Sequence, residues 1–268
     1  MLSLIKQFGV IVILSTLSSV DVFAQEIIHR QSSGDVVSEK TAVVILNGFG
    51  DSRKNRKKQT AFFETLGYDF FIPKYKDRGS LDGCVKNFTD FYENQNLQEY
   101  KEVSVLCYII GGYVLNRLIE NEGFGNFKTI IYDRSPIQER APNVAADKIK
   151  LISILMIGKV IVEFSEVEKP NLTSTKGVKV GLIIENKATP LMRLFHKASD
   201  SYGPYDFSPY HIDPNLDDYF HTILNHDEMY YRFDEIGGEI EYFLENGRFT
   251  SGAMRDVYEW DKFEKLKK

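Results

Sequence analysis

The chain reads as an α/β protein built on a doubly wound, mostly parallel sheet. Three observations carry that reading. Continuous apolar runs such as Thr41–Leu46 and Val103–Tyr108 suit strands covered on both faces. Segments with apolar residues three and four apart fall between those runs, so strands alternate with helices. At 268 residues the chain can bury a sizeable core within one domain, with or without a cap. A hydrophobic fraction of 43% and a charged fraction of 26% are ordinary for a soluble globular protein. The net charge of -5 argues against a nucleic-acid partner, since phosphate contact needs a basic surface.

The first residues stand apart from the fold. Lys6 supplies a positive start, Phe8 to Leu17 a short apolar run, and Val22, Phe23 and Ala24 a cleavage site before Gln25. This pattern predicts a signal peptide over 1–24, a secreted or periplasmic protein, and a single mature domain over 25–268. The apolar run is well short of the ~20 residues that a membrane span needs. Leu151 to Phe164 is apolar but interrupted by Lys159 and Glu163, which suits a buried or cap helix. No membrane span is therefore expected after cleavage.

The elements follow in order. Thr41–Leu46 is the first parallel strand, and Asp51 or Ser52 caps a helix that ends at Gly67. Tyr68 to Tyr75 reads as the next strand. Ser80 or Asp82 opens a helix carrying Val85, Phe88, Phe91 and Tyr92 at helical spacing. Val103–Tyr108 is a third strand, Gly112–Glu120 its helix, and Phe127–Asp133 a fourth strand. A helical region spans about Ala141 to Val167, followed by a strand at Val178–Glu185. Asp218–Leu224 is the last strand, ahead of a closing helix from about Gly238 to Asn246. Cap segments are expected at 140–175 and 193–217. The Tyr- and Pro-rich stretch Asp200–Asp217 reads as an ordered loop whose Tyr202, Tyr205 and Tyr210 could line a rim.

This order of pieces resembles the α/β-hydrolase superfamily over most of residues 41–248. Leu46-Asn-Gly-Phe-Gly-Asp-Ser52 looks like the oxyanion loop after the first parallel strand. The pair Gly111-Gly112 looks like the back of the nucleophile elbow, normally Gly-x-Ser-x-Gly. Leu182-Ile-Ile-Glu-Asn-Lys-Ala-Thr-Pro190 looks like the strand and turn that present the acid. Asn225-His-Asp-Glu228 looks like the loop of the catalytic histidine.

The resemblance assigns roles residue by residue. The nucleophile position falls on Ile109, which has no lone pair and cannot attack a carbonyl. Cys107 is the nearest reactive group, set inside the strand, and is the candidate displaced nucleophile. Thr189 takes the usual place of the acid, with Glu185 or Asn186 as substitutes and Asp133 as a further candidate. His226 matches the histidine. Asn47, Gly48, Phe49 and Ile110 are the oxyanion or ligand-binding candidates.

Other chemistry is weaker. Arg53, Lys54 and Arg56 belong to a run with five basic residues in six at the start of the first helix, and could bind an anion. His211 and His221 flank Asp213, Asp217 and Asp218, but the spacing matches no compact metal motif. No metal and no cofactor is expected. Cys84 and Cys107 could form a bridge after export, or remain buried thiols. Asn87 and Asn171 fit glycosylation sequons.

Two altered triad positions in a preserved frame point to an exported protein that has lost serine chemistry and acts through a ligand or partner. The expected ligand is a small anionic or acyl-bearing molecule. The alternative is an active esterase, lipase or thioesterase with a displaced nucleophile.

Overall fold

The computed structural model describes residues 25–31, 36–167 and 177–264. The expected signal segment and the Asn171 sequon lie outside the described residues. Seven strands form one sheet in the order β1-β3-β2-β4-β5-β6-β7. They are β1 (Ile27–His29), β2 (Thr41–Leu46), β3 (Asp69–Ile72), β4 (Glu102–Tyr108), β5 (Phe127–Arg134), β6 (Lys179–Lys187) and β7 (Asp218–Asn225). All neighbours run parallel except β1, which pairs antiparallel with β3.

The helices are α1 (Arg53–Phe63), α2 (Leu81–Asn94), α3 (Ile110–Glu122), α4 (Ala141–Lys148), α5 (Lys150–Met156) and α6 (Val160–Glu166). They continue with α7 (Pro190–Leu194), α8 (His196–Asp200), α9 (Pro209–Ile212), α10 (His226–Met229) and α11 (Phe233–Asn246). Ser52 and Ser80 cap α1 and α2, each accepting a hydrogen bond from the backbone three residues on. Helices α2, α3 and α6 cover one face of the sheet through Phe88, Val114, Leu115 and Phe164. Helices α1 and α11 cover the other through Phe63, Ile236, Ile240 and Phe243. Among the described residues no helix is long and apolar enough to cross a membrane.

Two glycines explain local geometry. A Cβ on Gly111 would lie 2.2 Å from the carbonyl oxygen of Leu46, so only glycine lets α3 sit this close to β2. Gly158 has φ +118, and its Cβ would meet the backbone of Arg78 at 2.3 Å. The predicted helical region 141–167 therefore breaks between α5 and α6 at Gly158, and Ile149, with φ -142, separates α4 from α5. The closing helix starts at Phe233, earlier than predicted, because Gly237 and Gly238 are accommodated inside it. Cys84 and Cys107 are both buried free thiols. Asn87 donates its side-chain amide to the Tyr75 carbonyl.

Candidate functional site

Strand ends meet on the α1/α11 face of the sheet. The register aligns Tyr108 with Asp133, and Asp133 with Ile183. Glu185 lies two residues beyond Ile183, so the period of a strand returns it to the same face. The β6–β7 pairing shifts register between Glu185 and Lys187, a bulge at the site. Asn225 then caps α10, its side chain accepting from the Asp227 and Glu228 N–H groups while Glu228 accepts from the Asn225 N–H. That box fixes His226 over the two acids.

The His226 ring donates through Nδ1 to Glu185 Oε1 at 2.6 Å, and Asp133 Oδ2 lies 3.5 Å from the same nitrogen. Asp133 and Glu185 are fully buried, and His226 is 6% exposed. Burial pushes the Glu185 carboxyl well above its ordinary 4.5, and the charge of Asp133 pushes it further, against the pull of His226. Burial also disfavours a charged His226. Glu185 and Asp133 together outweigh that penalty and hold the imidazole well above its ordinary 6.5. Both shifts favour the protonated forms of Glu185 and His226.

These three residues bring ligand atoms within 4.8 Å of one another, the grouping among the described residues that could hold a metal. Two ligands on a tetrahedral zinc would be roughly 3.4 Å apart. The 2.6 Å contact between Nδ1 and Oε1 is instead a hydrogen bond.

The other imidazole nitrogen has a partner that the sequence reading missed. Tyr230 OH lies 3.2 Å from His226 Nε2. Tyr230 is fully buried and stacks on Tyr108, ring centroids 4.3 Å apart and planes 12° from parallel. Tyr108 in turn donates to the Met229 carbonyl at 3.2 Å. A Tyr four residues after a His is a helical neighbour, and that spacing was the available signal.

Ile109 forms the turn between β4 and α3, with φ 9 and ψ -78. Its N–H donates to the Asp133 carbonyl at 3.3 Å. Cys107 requires a correction. It is completely buried in β4, and burial drives its thiol well above the ordinary 9.0. Burial there disfavours the thiolate that nucleophilic chemistry requires.

The loop after β2 divides its residues between structure and cavity. Asn47 is corrected from a ligand candidate to an internal strut: its amide donates to Gln59 Oε1 at 2.9 Å and to Asp51 Oδ1 at 3.2 Å. Gly48, Phe49, Ile109, Ile110 and His226 line a cavity of about 120 Å³. Its walls come from α4, α5 and α6, including Ala145, Ile157, Ile161 and Phe164.

Of the anion candidates, Arg56 is corrected too. Arg56 points inward, donating to Asp51 at 2.6 Å and to the carbonyls of Gln25, Ile72 and Pro73. Lys76 also pairs with Asp51, at 3.1 Å. Lys54 sits over the Tyr231 ring at 5.9 Å, and Arg53 is exposed on the same helix. None of the three lines the cavity.

Remaining candidates have other tasks. Thr189 caps α7 and donates to Gln138. Asn186 contacts His221 Nδ1 at 2.9 Å, not His226. His211 pairs with Asp206, whereas Asp217 and Asp218 engage Lys179 and Arg255. Tyr202 bonds Asp147, Tyr205 lies under Arg140, and Tyr210 packs edge-on against Tyr219. These tyrosines brace the segments between α4 and β7 and do not line the cavity.

No protein-family model and no curated protein matches the chain. Solved structures do. A lipase from Bacillus licheniformis superposes with a TM-score of 0.54 at 11% identity, covering 84% of this chain and 98% of that one. An α/β-hydrolase fold protein from Chitinophaga pinensis gives 0.53 at 10% identity over 84% and 98%. A bromoperoxidase from Bacillus anthracis gives 0.53 at 12% identity over 82% and 95%. The chain has the α/β-hydrolase fold, and this likeness speaks to the fold alone.

Proposed function

We propose that this α/β-hydrolase-fold protein is exported and holds a small acyl-bearing or anionic molecule above His226, without serine-hydrolase chemistry. One observation carries the reading: the hydroxyl on His226 Nε2 belongs to the fully buried Tyr230, and the turn after β4 carries Ile109. Acyl transfer needs a nucleophile that gives its proton to the base while facing a substrate carbonyl. Ile109 has no proton to give. Burial pushes the Tyr230 phenol well above its ordinary 10.0, and its burial keeps it from a bound ligand. Apolar walls at Ile157, Ile161 and Phe164 suit an acyl chain, with the polar head toward Phe49, Ile110 and His226.

The retained Glu185–His226 pair favours a second reading, an active esterase, lipase or thioesterase with a displaced nucleophile. Fluorophosphonate labelling and p-nitrophenyl esters of increasing chain length separate the two. The binding reading expects no label and no turnover, with a fluorescent fatty acid bound by the parent and lost in Ala145→Trp. Turnover abolished by His226→Ala would overturn it. Export is tested by sequencing the mature protein from the extracellular or periplasmic fraction. Its first residue is expected to be Gln25, and a cytoplasmic product retaining 1–24 would refute export.

A further inference from the structure

The cap turns an apolar helix face outward. On α5, Leu151 is 83% exposed, Leu155 78% and Ile152 37%. Leu151 and Leu155 stand one turn apart with Ile152 beside them, so the three make one stripe. The opposite side of α5 supplies Ser153 and Met156 to the cavity wall. A single short helix therefore separates the cavity from whatever covers its outer face.

Charge defines the partner. From Lys148 to Lys159 there are three lysines and no acid, in a chain of net charge -5. Lys148, Lys150 and Lys159 are all exposed. The neighbouring acids are mostly engaged: Asp147 accepts from Tyr202, and Glu163 from the Leu81 N–H. Glu166 is exposed at the far end of α6. Arg78 donates to the carbonyls of Leu155 and Met156, so the end of α5 does not depend on water for its hydrogen bonds. Docking two copies of this face would set lysine against lysine.

We propose that α5 docks on an anionic lipid bilayer. Leu151, Ile152 and Leu155 enter the boundary between headgroups and acyl chains, and the three lysines meet lipid phosphates. This inference goes beyond the ligand-binding reading and does not require it, since vesicle binding is measured without any cavity ligand.

The test is flotation of the chain over residues 25–268 with phosphatidylcholine vesicles, with and without phosphatidylglycerol. The parent is expected to float with the anionic vesicles and to release as salt rises. Leu151→Ser with Leu155→Ser should cut the bound fraction by about tenfold at an unchanged thermal midpoint, because both side chains are already in water. Lys148→Glu with Lys150→Glu, which leaves the apolar stripe intact, should do the same. A parent that stays with the bottom fraction, or a serine variant that floats like the parent, overturns the proposal. It also fails if the parent sediments as a dimer that the serine pair converts to monomer without any vesicle binding.

Discussion

Tyr230 OH and His226 Nε2 lie 3.2 Å apart, while Glu185 holds the other ring nitrogen at 2.6 Å. Both imidazole nitrogens thus have partners inside the protein. A hydroxyl introduced in the turn after β4 must displace Tyr230 before His226 can act on it.

That competition orders two variants. Ile109→Ser alone should gain little ester hydrolysis. Ile109→Ser with Tyr230→Phe, which frees Nε2 and keeps the stack on Tyr108, should exceed it by about tenfold, or ~1.4 kcal/mol of barrier. Rates on p-nitrophenyl acetate decide; equal rates would show that Tyr230 does not block the nitrogen.

Alkaline sensitivity should follow from the buried cluster. Glu185 is raised above its ordinary 4.5 and His226 above its ordinary 6.5 in the folded protein. The folded state thus binds more protons than the unfolded state once pH exceeds those values. Stability is fully present below them and falls as pH climbs through the raised folded-state values of Glu185 and His226. Urea midpoints measured from pH 5 to pH 9 should decline less in Glu185→Gln with His226→Asn than in the parent, and parallel slopes would refute the assignment.

His221 sets the opposite limb. Burial lowers its imidazole to about 4, where it stays neutral beside Asn186. A depressed histidine contributes stability above its ordinary 6.5 that is lost as pH falls toward the folded value. His221→Gln should flatten the acid limb between those two pH values, read by thermal midpoints. Loss of the limb in the Glu185→Gln background instead would move the effect elsewhere.

Asp51 is the counter-ion for two cations, Arg56 at 2.6 Å and Lys76 at 3.1 Å. Burial works against its charge, yet Lys76 and Arg56 bring the carboxyl below its ordinary 3.8. Asp51→Asn leaves buried positive charge uncompensated and should cost about 3 kcal/mol. Denaturant unfolding with an unchanged m-value would measure it. Because Arg56 spans three carbonyls of the sheet edge, Arg56→Ala should cost a similar amount.

Much of the sheet was legible because a buried parallel strand must be apolar along its whole length, as Thr41–Leu46 is. The helix after Ser80 was equally plain from its cap and from Phe88 and Phe91. His226 was found through its place after the last strand. Glu185 was one of several acids considered, because only the β5–β6 register shows which carboxyl faces His226. Arg56 looked like surface charge because nothing local reveals Asp51 and three carbonyls around it. Tyr230 was overlooked because its four-residue spacing from His226 is no motif by itself, and its stack exists only against Tyr108. The edge strand β1 was missed, being three residues long with no alternating pattern.

The antiparallel pairing of β1 bears on the order of assembly. Ile28 lies opposite Phe71, and the Gln25 carbonyl is held by Arg56. Translation delivers β1 first, yet its partner strand and its guanidinium clasp both emerge later. The earliest of the described strands is therefore idle until β3 has been synthesised. Any fusion placed ahead of β1 hangs from the segment that docks late, so a purification handle at the far terminus interferes least with sheet closure.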